Sequence, residues 1–391
     1  MADVAGVRTT TNVLQASRKI DMHEEILLLE PDSTPLTVFS KANQMKRKPT
    51  VNAEFSWVED KLRPRFDRIN NGAGYTSGDT VLTVDNGNYF RANDIVLVPR
   101  TGEALRVVSQ TSTTITVVRS VGAPAAAALV DNDELLIIGS AQPEGDTSKQ
   151  ARSDNPVQVK NYTQIFREPF HMTETQRHSD QFTRPNDWAH QAKKAGIEHA
   201  KDIEYAFLFG RKDEDLTGST PRRATGGAYE FVTTNVSDAG GAFTEAELFA
   251  FLRPMFRFGR RQKVGFASQL AVDIMNGFPR GKLELRQSDL DKTYGVRVFE
   301  YISPHGTLNL VTHYLIEGID AAGKFNGDIL VLDFEPIMYR YLANSEGSRD
   351  TAILKNRQQP DEDARKDEYL SECGLQFGEE KKHGRITNIT S

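Results

Sequence analysis

Val51, Ala53, Phe55 and Trp57 alternate with Asn52, Glu54, Ser56 and Val58, the period-two pattern of a strand with one buried face. Its match comes only at Val157, Val159, Tyr162, Ile165 and Phe166, about a hundred residues later. A structureless loop of that length is uncommon inside a compact domain. The two segments therefore read as the sides of one long hairpin, residues 49–73 and 142–168, with a separate module, 74–141, inserted at its end.

The module is β throughout. Strands are expected at Thr80–Val84, Asp94–Val98, Glu103–Val108, Thr114–Val118 and Glu134–Ile138. Asn86-Gly87, Thr101-Gly102 and Gly122-Ala123-Pro124 supply turns between them. Five short strands in so few residues predict a small barrel. Residues 74–141 hold four Arg, no Lys and seven acidic side chains, the wrong balance for a groove that tracks a phosphate backbone.

Beyond the hairpin the period changes. Trp188, Ala192, Ala195, Gly196, Ala200, Ile203, Ala206, Phe207 and Gly210 recur at steps of three and four. This predicts one amphipathic helix over 187–209, about 35 Å long at 1.5 Å per residue. Pro185-Asn186-Asp187 marks its start and Gly210 its C-cap. The middle of the stripe is small, so a neighbouring element must pack very close there.

Before the hairpin, residues 1–20 read as a polar extended arm. Asp21 and Glu24 form a candidate capping box, and Thr34-Pro35 starts a short helix that Lys46-Arg47-Lys48-Pro49 ends. Thr244 and Glu247 make a second capping box, Val264–Ala267 a strand, and Ser268 caps a helix ending at Gly277. Ser303-Pro304-His305-Gly306 turns a hairpin between Tyr294–Ile302 and Thr307–His313. Asp328–Phe334 and Ile337–Leu342 are strands, 356–368 a charged loop, and Tyr369–Ile389 one or two closing strands. The fold class is mixed α+β.

No catalytic, cofactor-binding or metal residue is assigned. The chain has neither a Gly-rich loop with Gly-Lys-Ser/Thr nor a Gly-x-Ser-x-Gly elbow. His171 and His178 flank Glu174 without a third ligand, and the lone Cys373 reads as an inert structural thiol. No run approaches the ~18 apolar residues of a membrane helix. The net charge of −6 makes any nucleic-acid contact local or passive. Arg253, Arg257, Arg260, Arg261 and Lys263, threaded with Phe251, Phe256 and Phe258, form a basic-aromatic cluster. It is read as a contact between subunits, with direct nucleic-acid binding as the alternative. With Phe55, Trp57, Arg63 and Arg65 of the hairpin, these five basic residues are the assembly-contact candidates.

The order of arm, long hairpin, long helix, α/β region and returning strands resembles the major capsid protein of tailed bacteriophages. The resemblance rests on DMHEEILLLEPDSTPLTVF (21–39), NYTQIFREPF (161–170), ILKNRQQPDEDARKDEYLSECGL (353–375) and HGRITNIT (383–390), and covers nearly the whole chain. It implies an N-terminal arm over 1–48 and an extended loop carrying the inserted barrel. It also implies a peripheral domain, 169–242 and 331–391, built on a spine helix, and an axial domain over 243–330. Hexamers and pentamers would close into an icosahedral head around double-stranded DNA held without sequence-specific binding. Such a virion capsid is assembled in the host bacterial cytoplasm, with no membrane and no cofactor. About fifty residues precede the hairpin, so a separate scaffolding protein is expected beside the portal. A decoration protein is an optional partner, whose work the barrel would share. No Lys–Asn cross-link is expected. The rival readings are the shell protein of an encapsulin-like cargo compartment and a soluble α+β enzyme or binding protein.

Overall fold

A computed structural model describes residues 34–41, 45–122, 124–145, 147, 155–179, 187–278, 286–287, 298–317 and 325–390. The polar arm, the Asp21–Glu24 capping box and Pro185-Asn186 lie outside the described residues. The chain forms two compact units, residues 58–157 and the remainder, with the boundaries inside the two strands of the hairpin.

In the larger unit a six-stranded sheet runs in the order β1 (Lys46–Thr50), β19 (Ile337–Asn344), β22 (Ala364–Phe377), β10 (Gln164–Thr173). The short β20 (Gly347–Ser348) and β21 (Ala352–Leu354) pair with β19 and β22. The helix predicted over 187–209 is α3 (Asp187–Phe209), packed on this sheet. Its small middle is explained by Tyr369 of β22: a Cβ on Gly196 would stand 3.2 Å from the phenol oxygen and 3.3 Å from its ring carbon. Phe170 fills the space between Trp188 and Tyr369, with ring centroids 4.8 and 5.9 Å away. Gly196→Val is expected to cost about 1–3 kcal/mol through overpacking, read as a lowered urea midpoint at unchanged slope.

A second sheet has seven strands. These are β13 (Val236–Gly241), β23 (Gly384–Ile389), β18 (Ile329–Leu332), β14 (Gln262–Ala267), β17 (Gly306–Thr312), β16 (Val298–Ser303) and β15 (Arg286–Gln287), in that order. On one face it carries α5 (Glu245–Met255) and α6 (Gln269–Asn276), through Leu248, Leu252, Ala271 and Met275. Both helices begin as their sequences predict: Thr244 and Glu247 form the reciprocal capping box, and Ser268 caps α6. The other face shares a core with α1 (Pro35–Lys41), α3 and the six-stranded sheet. β18 shows why its sequence is unbroken Ile-Leu-Val-Leu: Ile329 and Val331 enter one core, Leu330 and Leu332 the other.

The hairpin forms as β2 (Glu54–Glu59) and β9 (Val157–Tyr162), a two-stranded sheet of its own. The return strand ends at Tyr162, and Ile165 and Phe166 belong to β10 in another sheet. The break is fixed by Asn161. Its fully buried amide donates to the carbonyls of Leu375 (2.7 Å) and Gly226 (3.1 Å) and accepts from the Gly226 N–H at 2.8 Å.

The smaller unit contains all five expected strands, here β4 (Val81–Thr83), β5 (Asp94–Val98), β6 (Glu103–Gln110), β7 (Thr114–Val118) and β8 (Glu134–Ser140). It adds β3 (Phe66–Arg68), so the module begins before residue 74. The order β3-β8-β5-β6-β7-β4 is closed by a bridge between Ile69 and Val84 and by Asn70 N–H donating to the Thr83 carbonyl at 3.0 Å. Ile69, Leu82, Phe90, Val96, Leu105 and Ile115 are among its fully buried core. Beside that core the buried Glu103 accepts two 2.8 Å bonds from Arg119. Burial alone would raise the Glu103 carboxyl; Arg119 and the Ala127 and Ser120 N–H groups outweigh it and hold it below the usual range.

Three further expectations are corrected. Lys46–Pro49 does not merely end the arm; it is edge strand β1, parallel to β19, whose charges and proline hide its period. The loop expected over 356–368 already becomes β22 at Ala364. The expected peripheral segments 169–242 and 331–391 each send a strand, β13 and β23, into the seven-stranded sheet. These two pair in parallel across about 150 residues, and local pattern carries no trace of such a pairing.

Candidate assembly surfaces

The hairpin candidates divide by face. Phe55 and Trp57 point into the protomer, at 4% and 9% exposure. Phe55 stacks on Trp57 at 6.3 Å and lies under the Arg340 guanidinium at 5.5 Å, while Trp57 meets Phe231 at 5.9 Å. They anchor the base of the ribbon in its own subunit. On its opposite face Lys160 donates to Glu54 at 3.2 Å and Gln158 to Ser56 at 2.9 Å, beside the exposed Val58. Arg63 donates to the Asn88 carbonyl at 2.9 Å, and Arg65 is exposed.

The basic cluster also divides. Arg253, Arg257, Arg260 and Arg261 are exposed around the end of α5 and the start of β14. Arg260 pairs with Glu335 at 3.3 Å, and Arg257 lies over the 45%-exposed Phe258. Lys263 is not a surface cation. It is 1% exposed, and its ammonium donates to the carbonyls of Lys382 (2.6 Å) and Phe258 (3.2 Å), 3.7 Å from Asp333. β14 lies between β18 and β17 and is buried on both faces from Lys263 onward, while Arg261 and Gln262 just before it stay exposed.

Sequence reasoning missed the buried polar anchor of the larger unit. Glu204 of α3 is fully buried and accepts from Leu36 N–H (2.8 Å), Thr37 N–H (2.6 Å), the Thr37 hydroxyl (2.6 Å) and His313 Nε2 (2.6 Å). The signal was present, since Glu204 lies four residues after Ala200 and three before Phe207, on the apolar stripe itself.

Among the described residues no three His, Cys, Asp or Glu side chains are placed to hold a metal ion. His171 reaches Glu362 (3.0 Å) and His178 reaches Glu174 (3.4 Å), two separate surface pairs. The His199–Ser371 contact of 2.7 Å has the composition of a base–nucleophile pair, but both residues are buried where α3 packs on β22. An open groove of about 620 Å³ beside β10 and α3 is lined by Ile165, Arg167, Asp202, Tyr205 and Phe209. Burial, with Glu198 nearby, raises the Asp202 carboxyl there.

Two sheets about a shared core, a long helix packed on one of them, and a two-stranded ribbon interrupted by a closed β unit make up the fold. The capsid subunit of a native GTA particle has this fold, with a TM-score of 0.50 over 96% of this chain and 97% of that one, at 9% identity. The family model described as SU10 major capsid protein matches residues 4–390, and the chain belongs to that family. The major capsid protein of Pseudomonas phage PaMx41 is 27% identical over 274 residues, 67% of this chain. The match spans 65% of that curated relative's length, slightly under two thirds.

Proposed function

We infer that this chain is the major capsid protein of a phage, and that its work is to pack against copies of itself. The observation that carries this reading is the family match, which runs from residue 4 to residue 390. Hexamers and pentamers of the chain close into an icosahedral head around double-stranded DNA, assembled in the host bacterial cytoplasm. It is not an enzyme. A portal and a separate scaffolding protein are its partners, with a decoration protein as an optional third.

In this reading the six-stranded sheet with α3 is the peripheral domain, and the seven-stranded sheet with α5 and α6 is the axial domain. The exposed Arg253, Arg257, Arg260 and Arg261, with Arg65 on the ribbon side, are contacts between subunits. An interface of standard size buries about 1,600 Å², and many modest interfaces per subunit make the closed shell stable by multivalency.

Electron microscopy of particles from cells expressing the chain with its head-assembly genes tests this. Uniform closed shells tens of nanometres across are expected, and a dispersed monomer would overturn the reading. A co-purifying enzyme inside the shells would point to a cargo compartment instead. Boiled, reduced shells are expected to give one band near the chain mass of 43.7 kDa, without a ladder of cross-linked multiples.

A further inference from the structure

We propose that Asn71 is a modification site: its side-chain amide is lost spontaneously through attack by the Gly72 backbone nitrogen, leaving aspartate or isoaspartate in the turn between β3 and β4. The reaction belongs to the closed β unit and is independent of the shell-forming reading above.

Asparagine followed by glycine is the pair most open to this chemistry, because glycine has no side chain to keep its nitrogen away from the preceding Cγ. The chain has four such pairs, Asn71-Gly72, Asn86-Gly87, Asn276-Gly277 and Asn326-Gly327. The fold separates one from the rest. The Gly87 N–H donates to the Ser112 carbonyl at 2.8 Å. The Gly277 N–H, at the end of α6, donates to the carbonyls of Asp273 (3.2 Å) and Ile274 (3.0 Å). The Gly327 N–H donates to the Ser268 hydroxyl at 3.0 Å. Each of these nitrogens must break a bond before it can turn on its asparagine. Among the described residues the Gly72 N–H has no hydrogen-bond partner, and a Cβ on Gly72 would meet nothing within 4 Å.

The Asn71 side chain is held in the turn that the reaction needs. Its Oδ1 accepts from the Ala73 N–H at 3.2 Å, and its Nδ2 donates to the Gly74 carbonyl at 3.0 Å. The Gly74 N–H closes the turn on the Asn71 carbonyl at 2.8 Å. The Gly72 nitrogen gives its proton to hydroxide and bonds to Asn71 Cγ. Negative charge gathers on Oδ1, where the Ala73 N–H faces it. The Cγ–Nδ2 bond then breaks, and the nitrogen leaves as ammonia with a proton from water. A further water opens the cyclic imide at either carbonyl, so one amide and one water become one carboxylate and one ammonium. The new charge arises beside Asp131, whose carboxylate accepts the Asn71 N–H at 2.8 Å. Isoaspartate also adds a main-chain carbon next to Asn70, whose N–H helps to close the unit at Thr83.

Asn86 is the internal control. Its Oδ1 accepts from the Asn88 N–H at 3.2 Å in the same way, but Gly87 is packed so tightly that a Cβ there would stand 2.2 Å from the Thr111 carbonyl oxygen. Trypsin cutting after Arg68 and Arg91 leaves both asparagines on one peptide. The folded full-length chain is to be aged in mildly alkaline buffer and the four sites followed by peptide mass spectrometry, with isoaspartate read by its backbone fragments. Conversion at Asn71 is expected to be at least about tenfold faster than at Asn86, Asn276 and Asn326, the effect of one hydrogen bond to be broken at each of those glycines. In urea, where no glycine amide is bound, the four rates should converge. Gly72→Val, which meets no neighbour, is expected to slow Asn71 at least about tenfold and leave the other three sites unchanged. Equal rates in the folded chain, or the same preference for Asn71 persisting in urea, would overturn the proposal. So would an Asn71 rate untouched by Gly72→Val, which would mean direct hydrolysis by water without the Gly72 nitrogen.

Discussion

Glu204→Ala is expected to cost the protomer about 3–5 kcal/mol, the penalty for breaking a buried charged network by removing one member. Leu36 and Thr37 are in the first turn of α1, where backbone N–H groups have no partner within the helix. The Glu204 carboxylate supplies that partner from α3 and holds the His313 imidazole at the end of β17 as well. Without it, two amides, a hydroxyl and an imidazole stay buried with nothing to bond, and each unmet group costs about 1–3 kcal/mol. Leu36 and Phe39, fully buried from α1, lose the contact that seats them. Urea unfolding of dissociated subunits should show the loss, and amide exchange at Leu36 and Thr37 should accelerate beyond what global unfolding explains. Glu204→Gln keeps one acceptor and should recover part of the stability. A change under about 1 kcal/mol for the alanine variant would mean that α1 is held by its apolar contacts alone.

What could be read from the sequence follows from the range of the forces involved. α3 was legible to the residue, because a helix is written in local period and in its caps. The same holds for the Thr244–Glu247 box and the Ser268 cap. The interrupted hairpin was legible because two period-two segments had no other partner, and five of the six strands of the inserted unit stand between turn residues. β3 escaped notice because its pattern is inverted, with the acidic Asp67 buried between an exposed Phe66 and Arg68. Sheet membership was not legible: β13 and β23 meet across about 150 residues, and β1 joins β19 across nearly 300. Among the surface candidates, composition grouped Lys263 with four arginines, and only its place in β14, a strand flanked on both sides and buried from Lys263 onward, separates it from them.

Phe55 and Trp57 carry a related lesson. Large aromatics in an extended ribbon suggest contact with a neighbour, yet both are used to seat the ribbon on its own subunit. What the ribbon offers outward is a face with Glu54, Ser56, Gln158 and Lys160 beside the 66%-exposed Val58. Leu136 and Ile138 of the closed unit are exposed apolar side chains.

Lys263→Met should be comparably severe, about 3–5 kcal/mol near neutral pH, and its pH dependence identifies the cause. Methionine fills the volume, but the carbonyls of Phe258 and Lys382 lose their donor and Asp333 keeps a buried charge without its cation. His383, fully buried, accepts from the Asp333 N–H at 3.2 Å through Nδ1 and faces the Gly378 carbonyl through Nε2. Burial, with the Lys263 charge adding to it, pushes this imidazole down from 6.5 to about 4, against the opposing pull of the Gly378 carbonyl, Asp333 and Glu380. The folded protein therefore binds fewer protons than the unfolded chain between those values. His383's contribution is complete above pH 6.5 and is lost as pH falls toward 4, roughly 3 kcal/mol in all. Asp328 acts in the opposite sense: burial pushes its carboxyl up to about 6, so its protonated form is favoured in the fold and stability falls as pH rises from 3.8 to 6. Asp328 is common to both proteins, so the difference between wild type and variant removes it. With the Lys263 charge gone and Asp333 still present, His383 takes its proton at higher pH in the variant, and acidification costs the variant less. The gap between the two urea curves should be widest at pH 7.5 and clearly narrower at pH 5. A gap that is constant or grows on acidification would mean that Lys263 serves only as a hydrogen-bond donor to the two carbonyls, and that His383 does not sense its charge.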